Sequence, residues 1–416
     1  MTSMSRTKIL VLFSLVLSFA LIRRSTLLVS AQDQFGSPYG FNLGGHFNYD
    51  YPARKIIPGA EFDNVASLIS EGGAKWVRVM VFWKQLQPKS KNEWEKAKWE
   101  YLSNLMTTMR NHGLMIDLVV TEVPRWANNA PSTEVAAGYP PINMADWDQF
   151  ISKLVQKLEE DEIKIGAWEI ENEIDGNTRT GYREHPEKYV EMFTRAVPII
   201  RNAQNIHEQD KAFIMPSGFF NIHYAKEDII YWLNHLPKDY IAGLSFHTYG
   251  PDDAQILQYW NKFLTARNDA GLGNKPVWLT ETNLNDQPKG YLDPEASQKL
   301  PKRIDAFLQN GAQKVFWYCE SNGFWGAGIL KIQNFSTVPH FVKNEAVFSA
   351  YQEMTGVAAK TPIKGDLNSD GEVNEIDRDI LKSRYLTNDT IADIDLSGLV
   401  DATDYLILVS NFGESQ

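Results

Sequence analysis

The sequence predicts an α/β protein in which a (β/α)8 TIM barrel is followed by a small all-α domain. The first observation behind this prediction is that residues 39–356 alternate short apolar runs with longer helical patterns, eight times over. The second is a change of character at residues 365–416, which carry twelve acidic and three basic side chains. The third is the length of 416 residues, which suits one large domain and one small one.

The composition is that of a folded protein and disfavours nucleic acid as a partner. Hydrophobic residues make up 43% of the chain and aromatic residues 12%, which is enough for a sizeable core. The formal net charge is −11, and a negative protein repels a phosphate backbone. The twelve Trp residues favour ligands with an apolar face, such as sugars, as well as ordinary packing.

The N-terminus predicts export from the cell. Arg6 and Lys8 precede an apolar run over Ile9–Ile22, and residues 29–31, Val-Ser-Ala, offer a small-residue cleavage site. This pattern is typical of a secretory signal peptide, here residues 1–31, and a retained N-terminal anchor is the alternative. Cys319 is the single cysteine, so no disulfide forms within the chain. We therefore expect a secreted protein without disulfides and with no membrane contact once the signal is removed.

Eight apolar runs are the predicted strands of the barrel. Because strands and helices alternate, the sheet is parallel, and eight units favour a closed barrel over an open doubly wound sheet. The glycines near residue 44 lack the spacing of a dinucleotide-binding fingerprint. The predicted strands are Tyr39–Leu43, Trp76–Phe82, Met115–Thr121, Ile165–Ile170, Ala212–Ser217, Gly243–Thr248, Pro276–Thr280 and Lys314–Cys319. Predicted helices include Trp99–His112, Met144–Glu160, Glu187–Asn205, Glu295–Asn310 and Asn344–Thr355.

Two glutamates follow opposite strands of the predicted ring. Barrel enzymes place their chemistry at the carboxyl ends of the strands. Glu173 follows the fourth strand and Glu281 follows the seventh, so the two side chains should face each other across the mouth. A retaining glycosidase needs two carboxyl groups about 5–5.5 Å apart, one as nucleophile and one as acid and then base. One such glutamate is usually a surface or capping residue, whereas two at opposite strand ends favour catalysis.

The chain resembles the retaining glycoside hydrolases of the large (β/α)8 superfamily, which includes cellulases, mannanases and β-xylosidases, and it is closest to family 39-type and family 5-type members. The resemblance covers residues 39–356. It rests on residues 168–173, Trp-Glu-Ile-Glu-Asn-Glu, and residues 279–281, Leu-Thr-Glu, with the shorter motifs Trp-Val-Arg at 76–78, Phe-His-Thr-Tyr at 246–249 and Phe-Trp-Tyr at 316–318. It departs from the family at Ile174, where Pro is usual, and at Glu171, where an aromatic residue is common.

The resemblance implies a role for each matching residue. Glu173 would be the acid/base and Glu281 the nucleophile. Arg78 would keep Glu281 ionised through a charge-assisted hydrogen bond. No redox, organic or metal cofactor is expected for catalysis. The expected substrate-binding residues are Asn172, Arg78, His247, Tyr249 and the aromatic residues Trp317, Trp126 and Trp325.

Two twelve-residue loops in the acidic segment have the layout of calcium sites. Oxygen-bearing side chains fall at positions 1, 3, 5, 9 and 12 of each loop, and glycine falls at position 6. With a backbone carbonyl from position 7, this satisfies a hard cation that needs six to eight oxygen ligands. Helices Arg378–Tyr385 and Tyr405–Asn411 are expected after the loops. The predicted ligands of the two ions are Asp366, Asn368, Asp370, Glu372, Asn374 and Asp377 in the first loop, and Asp393, Asp395, Ser397, Leu399, Asp401 and Asp404 in the second.

This pair of loops resembles the type I dockerin of cellulosome enzymes, over residues 365–412. The resemblance implies two structural Ca²⁺ and docking to a cohesin module of a scaffold protein. A calcium-stabilised tail without a partner is the alternative. The predicted domains are thus a signal peptide (1–31), a catalytic barrel (32–356), a linker (357–364) and a dockerin (365–416).

Two other functions are compatible with a secreted barrel. A carbohydrate-binding barrel without turnover is disfavoured by the presence of both Glu173 and Glu281 with their expected neighbours. A metal-dependent hydrolase would need clustered His and Asp on several strand ends, and no His-x-His occurs among the eight His residues. The sugar and the choice between endo and exo action stay open, because loop shape determines both.

Overall fold

The computed structural model describes residues 36–47, 59–203, 205–207, 212–220, 222–284, 295–321, 328–333, 339–357, 363–368, 372–389 and 391–415. The predicted signal peptide and two predicted site residues, Trp325 and Asp370, lie outside these ranges. The chain divides into two compact units, residues 1–357 and residues 358–416.

Eight parallel strands form a near-closed ring in the first unit, in the order β5-β4-β3-β2-β1-β8-β7-β6. A bridge between Phe219 and Phe246 joins β5 to β6 and completes the ring. The predicted (β/α)8 fold is therefore confirmed. The strands are β1 (Tyr39–Asn42), β2 (Trp76–Phe82), β3 (Met115–Thr121), β4 (Ala167–Asn172), β5 (Ile214–Gly218), β6 (Leu244–His247), β7 (Val277–Thr282) and β8 (Ala312–Trp317).

Helices surround the ring, and an antiparallel hairpin follows it. The hairpin pairs β9 (Leu330–Gln333) with β10 (His340–Lys343), and the sequence pattern did not predict it. None of the helices in the described part of the chain combines the length and apolar character that crossing a membrane requires. The helices of the first unit are α1 (Glu61–Glu71), α2 (Trp83–Leu86), α3 (Lys96–Asn111), α4 (Met144–Glu160), α5 (Thr180–Glu184), α6 (Pro186–Arg201), α7 (Lys226–His235), α8 (Asp253–Asp269), α9 (Ala296–Gln309) and α10 (Glu345–Thr355).

Side chains along each strand alternate between two buried layers, because successive residues of a strand point to opposite faces. The larger layer lies between strands and helices and contains, for example, Val77 and Val79 of β2. The smaller layer fills the bottom of the ring with large apolar side chains, among them Trp76, Trp278 and Phe316. This packed floor leaves the polar side chains of β2, β4 and β7 together toward the mouth.

The second unit contains two short helices, α11 (Glu375–Ser383) and α12 (Ala402–Ser410). Each begins three residues earlier than the apolar pattern predicts. The reason is local, since Asn374 and Asp401 cap the helices and form capping boxes with Asp377 and Asp404. A small apolar core holds the unit together, made of Val373, Leu381, Ala392, Val400 and Leu408.

Candidate active site

Glu173 and Glu281 come together at the carboxyl-terminal mouth of the ring. Glu173 directly follows β4, and Glu281 lies in β7 opposite His247 of β6. One carboxylate oxygen of each glutamate and one ring nitrogen of His247 all lie within 4.8 Å of one another. We refer to the space above these three groups as the pit. Glu173 has a backbone φ of 50°, a left-handed conformation that is strained for this residue type and is often found at active sites.

Arg78 of β2 lies beneath the pit and bonds both sides of it. Its Nη1 donates to Oε1 of Glu281 at 2.5 Å, and its Nη2 donates to Oδ1 of Asn172 at 2.7 Å. Burial would lower the pKa of Arg78, but the charges of Glu169 and Glu281 raise it, so the guanidinium stays cationic. Because the amide oxygen of Asn172 accepts from Arg78, its amide nitrogen is left to donate elsewhere. The bond between Arg78 and Glu281 is the one expected from the sequence, whereas the bond between Arg78 and Asn172 was not predicted.

Two acidic residues that the sequence analysis missed lie below Arg78. Glu169 of β4 accepts from the Nε of Arg78 at 2.8 Å, and Asp117 of β3 lies 4.0 Å from the same nitrogen. Burial and the charge of Glu169 raise the pKa of Asp117 well above its usual value. Burial would also raise the pKa of Glu169, but the charge of Arg78 and its hydrogen bonds lower it. The pKa of Asp117 is thus raised and that of Glu169 lowered, so of these two carboxyl groups Glu169 is the one that pairs with the guanidinium, alongside Glu281.

His247 of β6 joins the two glutamates. Its Nδ1 lies 2.8 Å from Oε1 of Glu173 and 3.7 Å from Oε2 of Glu281. Its Nε2 lies 3.0 Å from the hydroxyl of Thr280. Tyr249, two residues further along the chain, donates its hydroxyl hydrogen to Oε2 of Glu281. Arg78, His247 and Tyr249 thus hold the two carboxylates in fixed orientations.

The aromatic residues of β8 are placed differently from the prediction. Phe316 belongs to the floor of the ring, so its neighbour Trp317 points the other way, into the core between strands and helices, and is fully buried. In this position Trp317 cannot stack on a sugar. Tyr318 faces the pit instead, with its ring 6.3 Å from that of Tyr249. Burial and the charges of Glu281 and Glu173 raise the pKa of Tyr318.

Trp126 follows β3 and is partly exposed. Its indole nitrogen donates to the backbone oxygen of Gln87 at 2.6 Å, and its ring packs edge-on against Trp83. These two contacts hold the indole ring of Trp126 in place. The part of the ring that stays exposed is compatible with a sugar contact.

Glu171, where the resemblance leads one to expect an aromatic residue, is a buried carboxyl group outside the pit. It accepts hydrogen bonds from the hydroxyls of Thr121 at 2.8 Å and Tyr182 at 2.9 Å. Burial raises its pKa. These bonds connect β3, β4 and α5, so this residue supports the strand end that carries Glu173.

The second unit brings three acidic side chains of the second loop together. Carboxylate oxygens of Asp393, Asp395 and Asp404 lie within 4.8 Å of one another. Asp404 is fully buried and also accepts the backbone N–H of Ile394 at 2.6 Å. Such a donor set fits a hard divalent cation, since carboxylate oxygens are the ligands that Ca²⁺ prefers. The hydroxyl of Ser397 donates to the backbone oxygen of Leu399 at 3.2 Å within the same loop.

In the first loop, the last acidic residue accepts backbone N–H groups from the start of the loop, as Asp404 does in the second loop. Asp377 is fully buried and accepts the backbone N–H groups of Leu367 at 2.7 Å and Asn368 at 3.2 Å. Asn374 and Asp401, at position 9 of the two loops, each cap a helix by accepting a backbone N–H. Asp366, which begins the first loop, is partly buried, and Glu372 forms a β-bridge with Ser415 near the C-terminus.

Comparisons with known proteins agree with both units. A model of the family described as Cellulase (glycosyl hydrolase family 5) matches residues 47–323, and a model of the Dockerin type I domain matches residues 364–412. No curated protein sequence matches the chain.

Solved structures share the fold at low sequence identity. A family 39 glycoside hydrolase from Bacteroides cellulosilyticus WH2 is 15% identical, with a TM-score of 0.53 over 78% of this chain and 64% of that one. The exo-beta-1,4-mannosidase Op5Man5 from Opitutaceae bacterium strain TAV5 is 16% identical, with a TM-score of 0.55 over 78% and 60%. A GH5-4 broad specificity endoglucanase from Clostridium acetobutylicum is 15% identical, with a TM-score of 0.54 over 77% and 97%. The chain thus spans less than two thirds of the length of the first two structures.

Proposed function

The chain belongs to glycosyl hydrolase family 5 and carries a Dockerin type I domain, and from this premise we propose that it cleaves β-glycosidic bonds in plant-type polysaccharides or their oligosaccharides with retention of configuration. Glu281 would be the nucleophile and Glu173 the acid/base. The activity needs no cofactor beyond these residues.

One observation carries the proposal, which is the short distance between the two carboxylates. Oxygens of Glu173 and Glu281 lie within 4.8 Å of each other. An inverting enzyme needs about 6.5–9.5 Å, because a water molecule has to fit between sugar and base. A retaining enzyme needs about 5–5.5 Å, so that one carboxylate reaches the anomeric carbon while the other reaches the glycosidic oxygen. The separation in this chain favours the retaining route.

The reaction would proceed in two displacements. Glu281 attacks the anomeric carbon, and Glu173 gives its proton to the glycosidic oxygen as the bond to the leaving group breaks. Water then attacks the covalent intermediate, Glu173 takes a proton from that water, and Glu281 is released as a carboxylate. Arg78 and Tyr249 each donate a hydrogen bond to one oxygen of Glu281, which holds this carboxyl group in a fixed orientation. The free amide nitrogen of Asn172 would donate to the sugar 2-hydroxyl, a contact that strengthens in the transition state.

The second unit would attach this enzyme to a scaffold outside the cell. Dockerin type I domains bind calcium, and each of the two acidic loops, around Asp377 and Asp404, would hold one Ca²⁺. The converging carboxylates of Asp393, Asp395 and Asp404 support this for the second loop. The ions would hold the two loops closed and so fix α11 and α12. A cohesin module is the proposed partner, and an extracellular multi-enzyme complex is the proposed location.

A substrate panel tests the proposed function directly. The full chain is incubated with cellulose, mixed-linkage β-glucan, mannan and xylan, and the released sugars are separated by chromatography. We expect soluble oligosaccharides from at least one of them. The control is Glu281→Gln, which keeps the side-chain shape and removes the nucleophile, so activity should fall by at least about 10³-fold. Activity of this variant within about tenfold of wild type would contradict the nucleophile assignment.

A further inference from the structure

Two adjoining grooves run along the outside of the barrel, away from the pit. The first, of about 430 Å³, lies between the segment that joins α2 to α3 and the middle of α4. The second, of about 480 Å³, lies between α3 and the end of α4. Both volumes are in the range of small-molecule binding sites. Trp94 lines both grooves, so the two meet at its side chain.

Trp94 presents carbon atoms to the grooves. Its ring packs on that of Trp99, with centroids 5.8 Å apart, and on that of Phe150 at 6.2 Å. Trp94 is partly exposed, whereas its indole nitrogen is buried. The part of the ring that faces the grooves therefore consists of carbon atoms, and the core behind it holds the ring in place. Such a surface suits the C–H face of a sugar ring.

The charges along the grooves nearly cancel. Four lysines and three acidic residues line the two grooves together. Three of the lysines already have acidic partners, in the pairs Lys91–Asp146, Lys96–Glu100 and Lys157–Glu160. A highly charged polymer therefore finds no strong field of the opposite sign here, and an uncharged ligand is favoured.

Amide and hydroxyl side chains make up much of the remaining lining. These groups both donate and accept hydrogen bonds, as the hydroxyls of a sugar do. They include Asn92, Gln149 and Gln156 in the first groove and Ser103, Asn104 and Thr107 in the second. An aromatic surface among such groups fits a carbohydrate better than it fits an apolar peptide.

The first groove reaches the mouth of the barrel. The backbone oxygen of Gln87, which lines this groove, accepts the indole N–H of Trp126 at 2.6 Å, and Trp126 follows β3 at the mouth. The second groove continues along α3 from Lys96 to Thr107, about 16 Å at the rise of an α-helix. A sugar polymer that leaves the pit beside Trp126 thus meets the first groove and then the second.

We propose that the two grooves are a second polysaccharide-binding site, with Trp94 as its sugar platform. Its ligand is an uncharged β-linked polysaccharide, and this choice of ligand rests on the proposed function. The site takes no part in bond cleavage. It holds the polymer beside the mouth and so raises the effective concentration of glycosidic bonds at the pit.

Migration in native gels that contain β-glucan, mannan or xylan measures the affinity, because bound polymer slows the protein. Every chain in these gels carries Glu281→Gln, so that the polymer stays intact. We expect Trp94→Ala to raise the dissociation constant about tenfold for at least one polysaccharide, since only the pit then holds the polymer. Trp94 also packs on the core, so a second variant leaves it in place. Gln149→Ala with Gln156→Ala, at two exposed positions of α4, should raise the constant at least about threefold.

A matched control removes two glutamines elsewhere on the barrel. Gln258 of α8 and Gln309 of α9 are exposed and line neither groove. Their double replacement by Ala should leave the dissociation constant within about twofold of the unaltered grooves. With Glu281 restored, the groove variants and this control should all hydrolyse an aryl glycoside within about twofold of the wild-type rate, because the pit is unchanged.

A dissociation constant that does not change in the Gln149 and Gln156 variant would overturn the second site, whatever Trp94→Ala does, because Trp94 would then act only in packing. Loss of aryl glycoside hydrolysis in that variant would also overturn it, since the grooves would not be separate from the pit. A wild-type chain that cleaves none of the polysaccharides, while the groove variants still bind them more weakly, would refute the proposed hydrolysis and leave the second site standing.

Discussion

The Nδ1 atom of His247 lies 2.8 Å from Oε1 of Glu173. Burial would lower the pKa of His247, but the charge of Glu281 and the hydrogen bond with Glu173 raise it above its ordinary value. Burial would raise the pKa of Glu173, but the hydrogen bond and charge of His247 lower it. We infer from these two directions that the proton of this pair resides on the imidazole in the free protein. It would then have to cross one hydrogen bond to reach Glu173, the carboxyl group proposed to deliver it to the substrate.

The pH dependence of kcat/KM should report this shared proton. We expect activity to fall on the alkaline side as the pair loses its last proton, at a pH above 6.5, because the pKa of His247 is raised from that value. In His247→Gln only Glu173 can hold the proton. The wild-type pair of Glu173 and His247 binds its last proton more tightly than Glu173 alone would. The alkaline limb of the variant should therefore lie at lower pH than that of wild type.

The measurement is a pH profile of kcat/KM for both proteins on an aryl glycoside whose sugar is the one identified by the substrate panel. An alkaline limb at the same pH in wild type and variant would show that His247 does not hold the proton.

Removing the acid/base should create a variant that an added nucleophile can rescue. In Glu173→Ala the covalent intermediate still forms from an activated aryl glycoside, because a good leaving group needs no proton. Its hydrolysis is slow, since no base activates the water. Azide needs no base, and we expect it to raise kcat about tenfold or more and to yield a glycosyl azide of the β configuration.

The product configuration is read by NMR, and Glu281→Ala serves as the control. In that variant azide would attack from the opposite face and give the α anomer. The absence of rescue in Glu173→Ala would contradict its role as acid/base, and an α azide from it would contradict retention.

Glu169 and Asp117, the two buried acidic residues beneath Arg78, should differ in how much the free energy of unfolding falls when each carboxyl group is replaced by an amide. Glu169→Gln removes one of the two carboxylates that bond the guanidinium, the other being Glu281, and should cost about 3–5 kcal/mol of unfolding free energy, the usual result of breaking a buried ion pair. Asp117→Asn is the matched control. Because burial and the charge of Glu169 raise the pKa of Asp117, we expect its carboxyl group to be neutral, so that an amide of similar shape changes no charge and costs less than about 1.5 kcal/mol.

Urea unfolding followed by Trp fluorescence measures both effects. All twelve Trp residues lie between residues 76 and 325, so the signal reports the barrel and not the second unit. Similar losses in the two variants would contradict the assignment of the proton to Asp117.

The alternation of eight strands and helices was enough to predict the fold. It was also enough to predict that Glu173 meets Glu281, because a parallel barrel brings the carboxyl ends of all its strands to one mouth, whatever the loops do. The sequence did not show which side chains at the end of β8 face the inside of the ring. Residues 316–318 are all aromatic, so no apolar–polar alternation indicates which of them faces inward, and Trp317 was chosen where Tyr318 faces the pit. Asp117 could have been noticed as the one acidic residue in an apolar strand.

Calcium removal should unfold the second unit and leave the barrel intact. Asp393, Asp395 and Asp404 converge within 4.8 Å, and like charges at this distance repel unless a cation lies among them. The unit has a core of five small or medium apolar side chains, which is too little to offset that repulsion. We expect a chelator to expose Lys382 and Arg384 to trypsin and to reduce the far-UV circular dichroism of the full chain, with no change in Trp fluorescence.

Two variants sharpen this test. Asp393→Asn removes one ligand charge and should raise the Ca²⁺ concentration needed for protection from trypsin by at least about tenfold, because ligand charge count sets calcium affinity. Asp379→Asn removes an equally charged residue of α11 whose side chain is 70% exposed and which belongs to neither loop, so it should leave that concentration unchanged. Protection by Ca²⁺ that is equal in the two variants would mean that the ion binds elsewhere. A trypsin pattern and circular dichroism that do not respond to the chelator would mean that the acidic loops fold without any ion.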